Sequence, residues 1–498
     1  MPKKSLDEFP EVIVSSLATT KKISRYLKEG KLRKLATRLY TKNLKDPPEL
    51  IVKRNLWPIV GAYYPGALIA DRTALENKPA SDGSIFIIST KKRVVRLPGI
   101  TIHPRRGHPP LSTDHPFMSS LFLASQARAF LENMRPSRTG KDHVSRTLSR
   151  HELEEQIETL LRHGGIERLN KLRDDTAQIA KQLSLEKERK RLDALVGSFL
   201  GTKSLKLTSQ MGIARQFGYP YDPKRVELFL TLQSTLYNTA PVTRYAPTLD
   251  PSANSNLAFF EAYFSNFIEG TEFEIEEAYK IIFNHQIPPQ RPADAHDILG
   301  TYQLVSNTQE MSQSPRDFDH FIDLLKSRHA IIMKGRPDKE PGRFKNIVNR
   351  AGTTIFVVPE LVTGTLKKGF EIFEAVDIPL HRAIFMMFLV AEVHPFLDGN
   401  GRIARVMMNA ELVASKEQRI IIPTVYRNNY LSALRALSLN GNAEALIRTL
   451  DFAQKYTANL NFQDFNHTLQ QLEKTHAFMD PNEAEDRGLR LILPSRDL

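Results

Sequence analysis

No cysteine occurs anywhere in the 498 residues, which removes disulfides, thiolate metal sites and cysteine nucleophiles at once. Tryptophan is nearly absent, with one copy, and aromatic residues make up only 8% of the chain. Long apolar runs are missing too. No stretch approaches the roughly 20 residues that span a bilayer, so no membrane partner is expected. The opening Met1-Pro2-Lys3-Lys4 is followed by acids and only a short Val12-Ile13-Val14 patch, so no secretory signal is expected and the cytoplasm is the expected compartment.

What is present is globular in character, with 41% hydrophobic and 25% charged residues. A chain of this length exceeds one hydrophobic core, and two to four domains are expected. Charge is distributed unevenly. Residues 1–150 hold 28 Lys plus Arg against 12 Asp plus Glu, net +16, whereas residues 151–498 hold 41 against 44, net −3. The basic surplus belongs wholly to the N-terminal third, where it points to a polyanion partner.

The densest chemistry lies at His394 to Arg405, which reads His-Pro-Phe-Leu-Asp-Gly-Asn-Gly-Arg-Ile-Ala-Arg. It separates two helical patterns, an apolar run over Ile378 to Val393 and a second over Arg402 to Ala414 with Ile403, Val406, Met407, Ala410 and Val413 at helical spacing. The polar segment is therefore a tight loop entering a helix, where unpaired N–H groups and the positive end of the macrodipole favour an anion. Gly399 and Gly401 let the backbone approach a phosphate and form a nest of donors. Arg402 and Arg405, three residues apart, supply planar forks for phosphate oxygens. Asp398 is a hard oxygen ligand suited to Mg²⁺. His394 ordinarily titrates near neutral pH and can accept a hydroxyl proton.

At every defined position this segment resembles the signature of the Fic family, His-Pro-Phe-x-Asp-Gly-Asn-Gly-Arg-x-x-Arg. The resemblance implies an all-helical core that transfers AMP from ATP to a Ser, Thr or Tyr hydroxyl of a target protein and releases pyrophosphate. It makes His394 the base, Asp398 the metal holder, and Gly399, Asn400, Gly401, Arg402 and Arg405 the phosphate cradle. Doc-type relatives, which resemble kinases, carry lysine where this chain has Gly401. UMP, phosphate or phosphocholine transfer is the less favoured chemistry.

Upstream, Ser265-Asn266-Phe267-Ile268-Glu269-Gly270 resembles the family's inhibitory helix, Ser or Thr, three residues, Glu, then Gly or Asn. A carboxylate beside a phosphate-binding arginine would pair with it and fill the γ-phosphate position, and Glu269 with Arg405 is the expected pair. Ala258 to Ile268 reads as a helix with its aromatic residues inward and Gly270 as its stop. Between helix and motif, Thr353 to Pro359 reads as a short hairpin. The resemblance makes this a flap, with Ile355, Phe356 and Val357 registering the target by strand addition. It also places an adenine contact near Tyr430, close to Ser438 or Asn440.

The N-terminal third has its own pattern. Glu8 to Leu17 and Lys21 to Glu29 read as short helices, and Lys31 to Lys42 as a basic two-stranded wing, together suggesting a winged helix-turn-helix. Short strands follow near Pro65 to Ile69, Ser84 to Ser89 and Arg93 to Gly99, then a helix over Ser119 to Met134. Residues 15–135 resemble type IV (AbiEi-type) antitoxin regulators in three places. These are the Leu27 to Thr41 wing, the Tyr64-Pro65-Gly66-Ala67 and Arg72-Thr73-Ala74-Leu75 stretches, and the Ser125 to Glu132 helix. That likeness implies DNA binding. A basic α/β domain that contacts a protein remains the alternative.

The loop-like basic stretch Arg135 to Lys141 leads into charged helices over His151 to Leu161 and Ile166 to Phe199, broken by Gly164-Gly165. The tail is expected to turn irregular around Asp480-Pro481-Asn482. The expected fold is mainly α, a helical core with a β-hairpin flap preceded by a smaller α/β winged-helix-like region. Expected boundaries are 1–50 winged helix, 51–140 antitoxin-like α/β domain, 141–220 helical linker, 221–290 region with the inhibitory motif, 291–460 catalytic core and 461–498 tail. Competing readings are a nucleotide-sensing transcription regulator and a toxin fused to its antitoxin, with homo-oligomerisation open.

Overall fold

The computed structural model describes residues 6, 9–137, 144–203, 205–352 and 354–494. Met1 to Lys4, most of the basic stretch at 138–141, and Thr353 of the expected hairpin lie outside the described residues. The chain forms two compact units, Met1–Phe217 and Gly218–Leu498. Among the described residues no helix is long and apolar enough to cross a membrane.

The first unit opens with β1 (Val12–Val14), α1 (Thr20–Lys28), β2 (Arg33–Ala36) and β3 (Leu39–Thr41), whose strands make a three-stranded sheet in the order β1-β3-β2. Strands β2 and β3 pair as a hairpin within the basic Lys31 to Lys42 stretch. The helix expected over Glu8 to Leu17 is instead a strand, because Val12-Ile13-Val14 pairs antiparallel with β3 and buries Val12 and Ile13. Among the described residues one α-helix, not two, therefore precedes this hairpin. Next come α2 (Pro48–Arg54), α3 (Leu56–Tyr63), β4 (Leu68–Ile69), α4 (Asp71–Glu76), β5 (Ser84–Ile88), β6 (Val95–Leu97), β7 (Ile100–Arg105), β8 (His115–Phe117) and β9 (Leu121–Leu123). They form a mixed six-stranded sheet, β6-β7-β5-β4-β9-β8. The helix expected from Ser119 shrinks to α5 (Gln126–Asn133), because Leu121–Leu123 pairs in the sheet and Ser125 caps the helix through the Arg128 amide.

Behind the sheet, α6 (Arg150–Ala180) kinks at Gly165, as the glycine pair suggests. The charged pattern continuing to Phe199 breaks a second time, giving α7 (Glu186–Phe199) after a turn in which Ser184 adopts positive φ. With α8 (Gln210–Gln216), these helices pack Leu153, Ile157, Leu192 and Val196 against Phe130 and Leu131 of α5.

The second unit is helical. It comprises α9 (Pro223–Tyr237), α10 (Pro251–Ile268), α11 (Ile275–Asn284), α12 (Pro292–Ser306), α13 (Thr308–Met311) and α14 (Phe318–Ile332). The small hairpin β10 (Arg350–Ala351) and β11 (Thr354–Ile355) precedes α15 (Val362–Phe373), α16 (Pro379–Val393) and α17 (Asn400–Ala414). Then follow α18 (Arg427–Asn440), α19 (Ala443–Ala458), α20 (Phe465–Lys474) and α21 (Pro481–Asp486). The expected irregularity at Asp480 is in fact a helix start, since Asp480 accepts from the Asn482 and Glu483 amides with Pro481 at the first helical position. The chain is thus mainly α with a small N-terminal α/β region. Two helices matter most for the site. α16 is buried along its length, from Leu380 to Val393, and α10 places Phe259, Phe260 and Phe264 at no more than 1% exposure in the same core.

Candidate active site

The motif loop is held open by its own side chains. His394 caps α16 in the left-handed region, φ 53°, and Gly399 sits at φ 73° just before α17. A Cβ at Gly399 would meet Met333 Sδ at 2.6 Å, so that position needs glycine for conformation and for space. Asn400 spends its amide on the loop: Oδ1 accepts from the Phe396 amide and Nδ2 donates to the Phe396 carbonyl, both at 2.9 Å. Its part here is loop closure, where the sequence suggests a phosphate contact.

His394 is oriented by geometry rather than by an acid. Its Nδ1 lies 3.2 Å from the Ala391 carbonyl, and because a carbonyl only accepts, Nδ1 carries the proton and Nε2 keeps its lone pair. Phe356 stacks on the imidazole at 3.7 Å between centroids and 6° between planes. That covers a ring face, whereas the Nε2 lone pair lies in the ring plane. Titration near neutrality does not describe this site, because burial, with Lys345 nearby, brings the imidazole down to about 4.

Beside it a buried arginine is met by a carboxylate. Arg405 is buried and donates Nε to Ser265 Oγ at 3.0 Å and Nη2 to the Ser265 carbonyl at 2.7 Å. Nη2 also reaches Glu269 Oε1 at 2.8 Å. A Cβ at Gly401 would collide with the same carboxylate, so Glu269 lies directly over the first turn of α17. The sequence pairing of Glu269 with Arg405 is present as geometry, and Gly270 ends the helix region at φ 86°. The last α10 carbonyl is also held, since Arg427 Nε donates to Ile268 O at 3.0 Å.

The remaining motif residues divide. Asp398 turns Oδ1 to its neighbour's amide, Gly399 N, at 2.7 Å, and its side chain stays 44% exposed. Among the described residues no cluster of three or more metal-ligating side chains exists, so a cation here would take Asp398 as its protein ligand and fill its shell with phosphate oxygens and water, which suits Mg²⁺. Arg402 is buried against Asp297 at 2.7 Å, and its Nε has no hydrogen-bond partner among the described residues. Tyr430 does not offer an adenine platform in this structure. Its ring is 1% exposed and its hydroxyl lies 3.3 Å from Met387 Sδ, because the apolar face of α18 that carries it packs inward.

Of the flap residues, Ile355 is exposed, Phe356 lies on His394 and Val357 is buried. The hairpin begins earlier than the β-branched run suggests, pairing Arg350 with Ile355 and Ala351 with Thr354, and Val357 and Val358 lie beyond the strands. Burial of Val357 in the core pulls the chain out of the ladder.

Residues the sequence reading missed surround the loop. His329 on α14 stacks on Phe396 at 3.6 Å, donates Nε2 to the Asp398 carbonyl at 2.9 Å and accepts from the Gly342 amide at Nδ1. Lys345 donates its amide to Pro395 O at 2.8 Å, and burial lowers its ammonium to about 8. Asn349 donates to Phe396 O at 2.8 Å. None belongs to a recognisable local pattern.

His329 has a consequence for stability. Burial depresses it from the ordinary 6.5 to about 4, so it is neutral in the fold and protonates first in the unfolded chain. Its contribution is complete above pH 6.5 and is lost as pH falls toward 4. At pH 4.5 the loss is roughly 2 to 3 kcal/mol. Urea unfolding at pH 7 and 4.5 measures it, with His329→Gln expected to flatten the pH dependence; equal dependence in both proteins rules the assignment out.

The Fic/DOC family model matches residues 318–412. Protein adenylyltransferase fic-1 of Caenorhabditis elegans is 25% identical over 196 residues, 38% of this chain and 38% of that protein. Protein adenylyltransferase Fic of Nematostella vectensis is 25% identical over 244 residues, 45% of this chain and 55% of that one. The chain thus spans well under two thirds of the length of these relatives. A solved structure of C. elegans Fic-1, residues 134–508, aligns with TM-score 0.35 and 16% identity over 68% of this chain and 96% of that one. The span that matches the Fic/DOC family model carries α14, the flap, α16, the whole motif loop and most of α17.

Proposed function

We propose that the second unit transfers AMP from ATP to a Ser, Thr or Tyr hydroxyl of a target protein, and that Glu269 holds this activity in check. The observation that carries the reading is a carboxylate seated in an anion pocket, on Arg405 and over Gly401, beside an imidazole whose Nε2 is unprotonated. In the reaction the target hydroxyl oxygen bonds to the α-phosphorus and its proton passes to His394 Nε2. The bond from that phosphorus to the bridging oxygen breaks, and pyrophosphate leaves with the electron pair. The Ala391 carbonyl keeps His394 in the accepting tautomer. The start of α17 presents its amides to phosphate oxygens, while the Gly399 amide stays on Asp398, and Arg405 serves the terminal phosphate once Glu269 withdraws. The unpartnered Nε of buried Arg402 is a further donor for them. Mg²⁺ held on Asp398 would neutralise phosphate charge.

Gly401, in place of the lysine of Doc-type relatives, and the names of the relatives favour AMP over phosphate. ATP labelled on the adenosine side against ATP labelled on the γ-phosphate tests this. Protein label from the first alone, with pyrophosphate released, is expected; label from the γ-position overturns the assignment.

We infer a second role for the first unit, contact with nucleic-acid phosphates. One cleft there is lined by Arg38, at the wing tip, with Lys91, Arg93 and Arg96 around Tyr63 and Tyr64. This matches the +16 charge of residues 1–150. DNA affinity is expected to fall steeply with salt, and Arg93→Ala with Arg96→Ala to reduce the log–log slope by about two. A slope unchanged by both substitutions removes the cleft from the reading.

A further inference from the structure

Arg225, on the first turn of α9, grips two elements at once. Its Nη2 donates to the Ile355 carbonyl of the flap at 2.7 Å, while Nη1 pairs with Glu392. Glu392 lies on the last turn of α16, two residues before His394, and accepts from Ser438 Oγ of α18 with its other oxygen. Both charged side chains are largely enclosed, at 14% and 4% exposure.

The flap strand has a definite open edge. Phe356 N donates to Asn349 O, so the neighbouring pair Arg350 and Ile355 belongs to the class that does not bond across the hairpin. The N–H and C=O of Ile355 therefore face outward, toward any chain that adds as a strand. Arg225 takes one lone pair of that carbonyl, leaving the other and the N–H for the incoming backbone.

We propose that Arg225 is a positioning residue that fixes the flap edge relative to α16, and so sets the distance between a docked hydroxyl and His394 Nε2. The proposal rests on the AMP-transfer reading. The guanidinium fork suits the task because two separate nitrogens serve two acceptors in one plane, a geometry a lysine ammonium lacks. Misplacement of a reacting group by about 1 Å costs on the order of a hundredfold in rate, and water as acceptor needs no flap.

The test uses the full chain with Glu269→Gly, alone and combined with Arg225→Ala or Arg225→Lys. Three quantities are read: self-labelling from ATP, ATP hydrolysis to AMP, and ATP affinity by calorimetry. Both substitutions are expected to lower self-labelling at least about tenfold, with Lys the milder, while hydrolysis and affinity stay within about twofold. Labelling and hydrolysis that fall together, or labelling that does not change, overturns the proposal. If the Glu269→Gly parent forms neither label nor AMP, the transfer reading fails by itself. Hydrogen exchange then decides on Arg225: faster exchange at the Phe356 amide in Arg225→Ala supports the tether, and unchanged protection overturns it.

Discussion

Glu269→Gly is expected to raise protein labelling from ATP by roughly ten- to a hundredfold. The carboxylate, itself partly exposed, holds the buried Arg405 Nη2 at 2.8 Å and lies against Gly401, where a terminal phosphate would otherwise be received. A charge-assisted hydrogen bond of this kind is worth about 1.5 to 3 kcal/mol, and each 1.4 kcal/mol is a factor of about ten in nucleotide affinity. The substitution leaves the remaining Arg405 contacts, to Ser265 Oγ and its carbonyl, in place. Glycine is tolerated where Glu269 caps α10, so the fold is expected to survive. Calorimetric ATP affinity and labelling should rise together. Equal labelling with and without the glutamate would show that the carboxylate is no brake.

His394→Asn, introduced into the released protein, is expected to lower labelling by about 10² to 10⁴, the usual contribution of a positioned general base. Asparagine is the better choice over alanine because this residue stands at φ 53°, a conformation asparagine tolerates and alanine resists. ATP affinity should remain within about twofold, since no cup donor is removed. A parallel loss of affinity would mean that His394 shapes the pocket and does no proton transfer. With the imidazole at about 4, activity near neutrality should also vary little with pH on the acid side until close to that value. A limb centred near pH 6.5 in the released protein would report an imidazole returned to water.

The motif was legible because its chemistry is consecutive, twelve residues from His394 to Arg405 that run through the loop into the start of α17. Glu269 was legible as a partner for Arg405 through a short pattern ending a helix. The residues that steady these groups were not. His329, Asp297, Arg225, Glu392 and the pair Lys345 with Asn349 come from five separate segments, and tertiary packing brings those segments together. The burial of Tyr430 was not legible, because one tyrosine on a helix gives no sign of which face packs inward. In the first unit, β7 and β8 escaped notice since Pro104 and Pro116 fall inside them. Val12–Val14 is too short to show any period, and only its pairing with β3 decides its form.

The depth of α10 narrows how Glu269 can be withdrawn from Arg405. Phe259, Phe260 and Phe264 are each at most 1% exposed, and at about 2 to 3 kcal/mol apiece their extraction would cost more than about 6 kcal/mol. That puts a population with the whole helix withdrawn below roughly one in ten thousand. Among the described residues the Glu269 carboxylate hydrogen-bonds to one side chain, Arg405, at the end of the helix. On the proposed reading, an activating partner thus has no use for a lever along the helix axis; it needs only to turn one side chain or loosen one peptide turn, a change small enough for a loop, an ion or a neighbouring copy to impose.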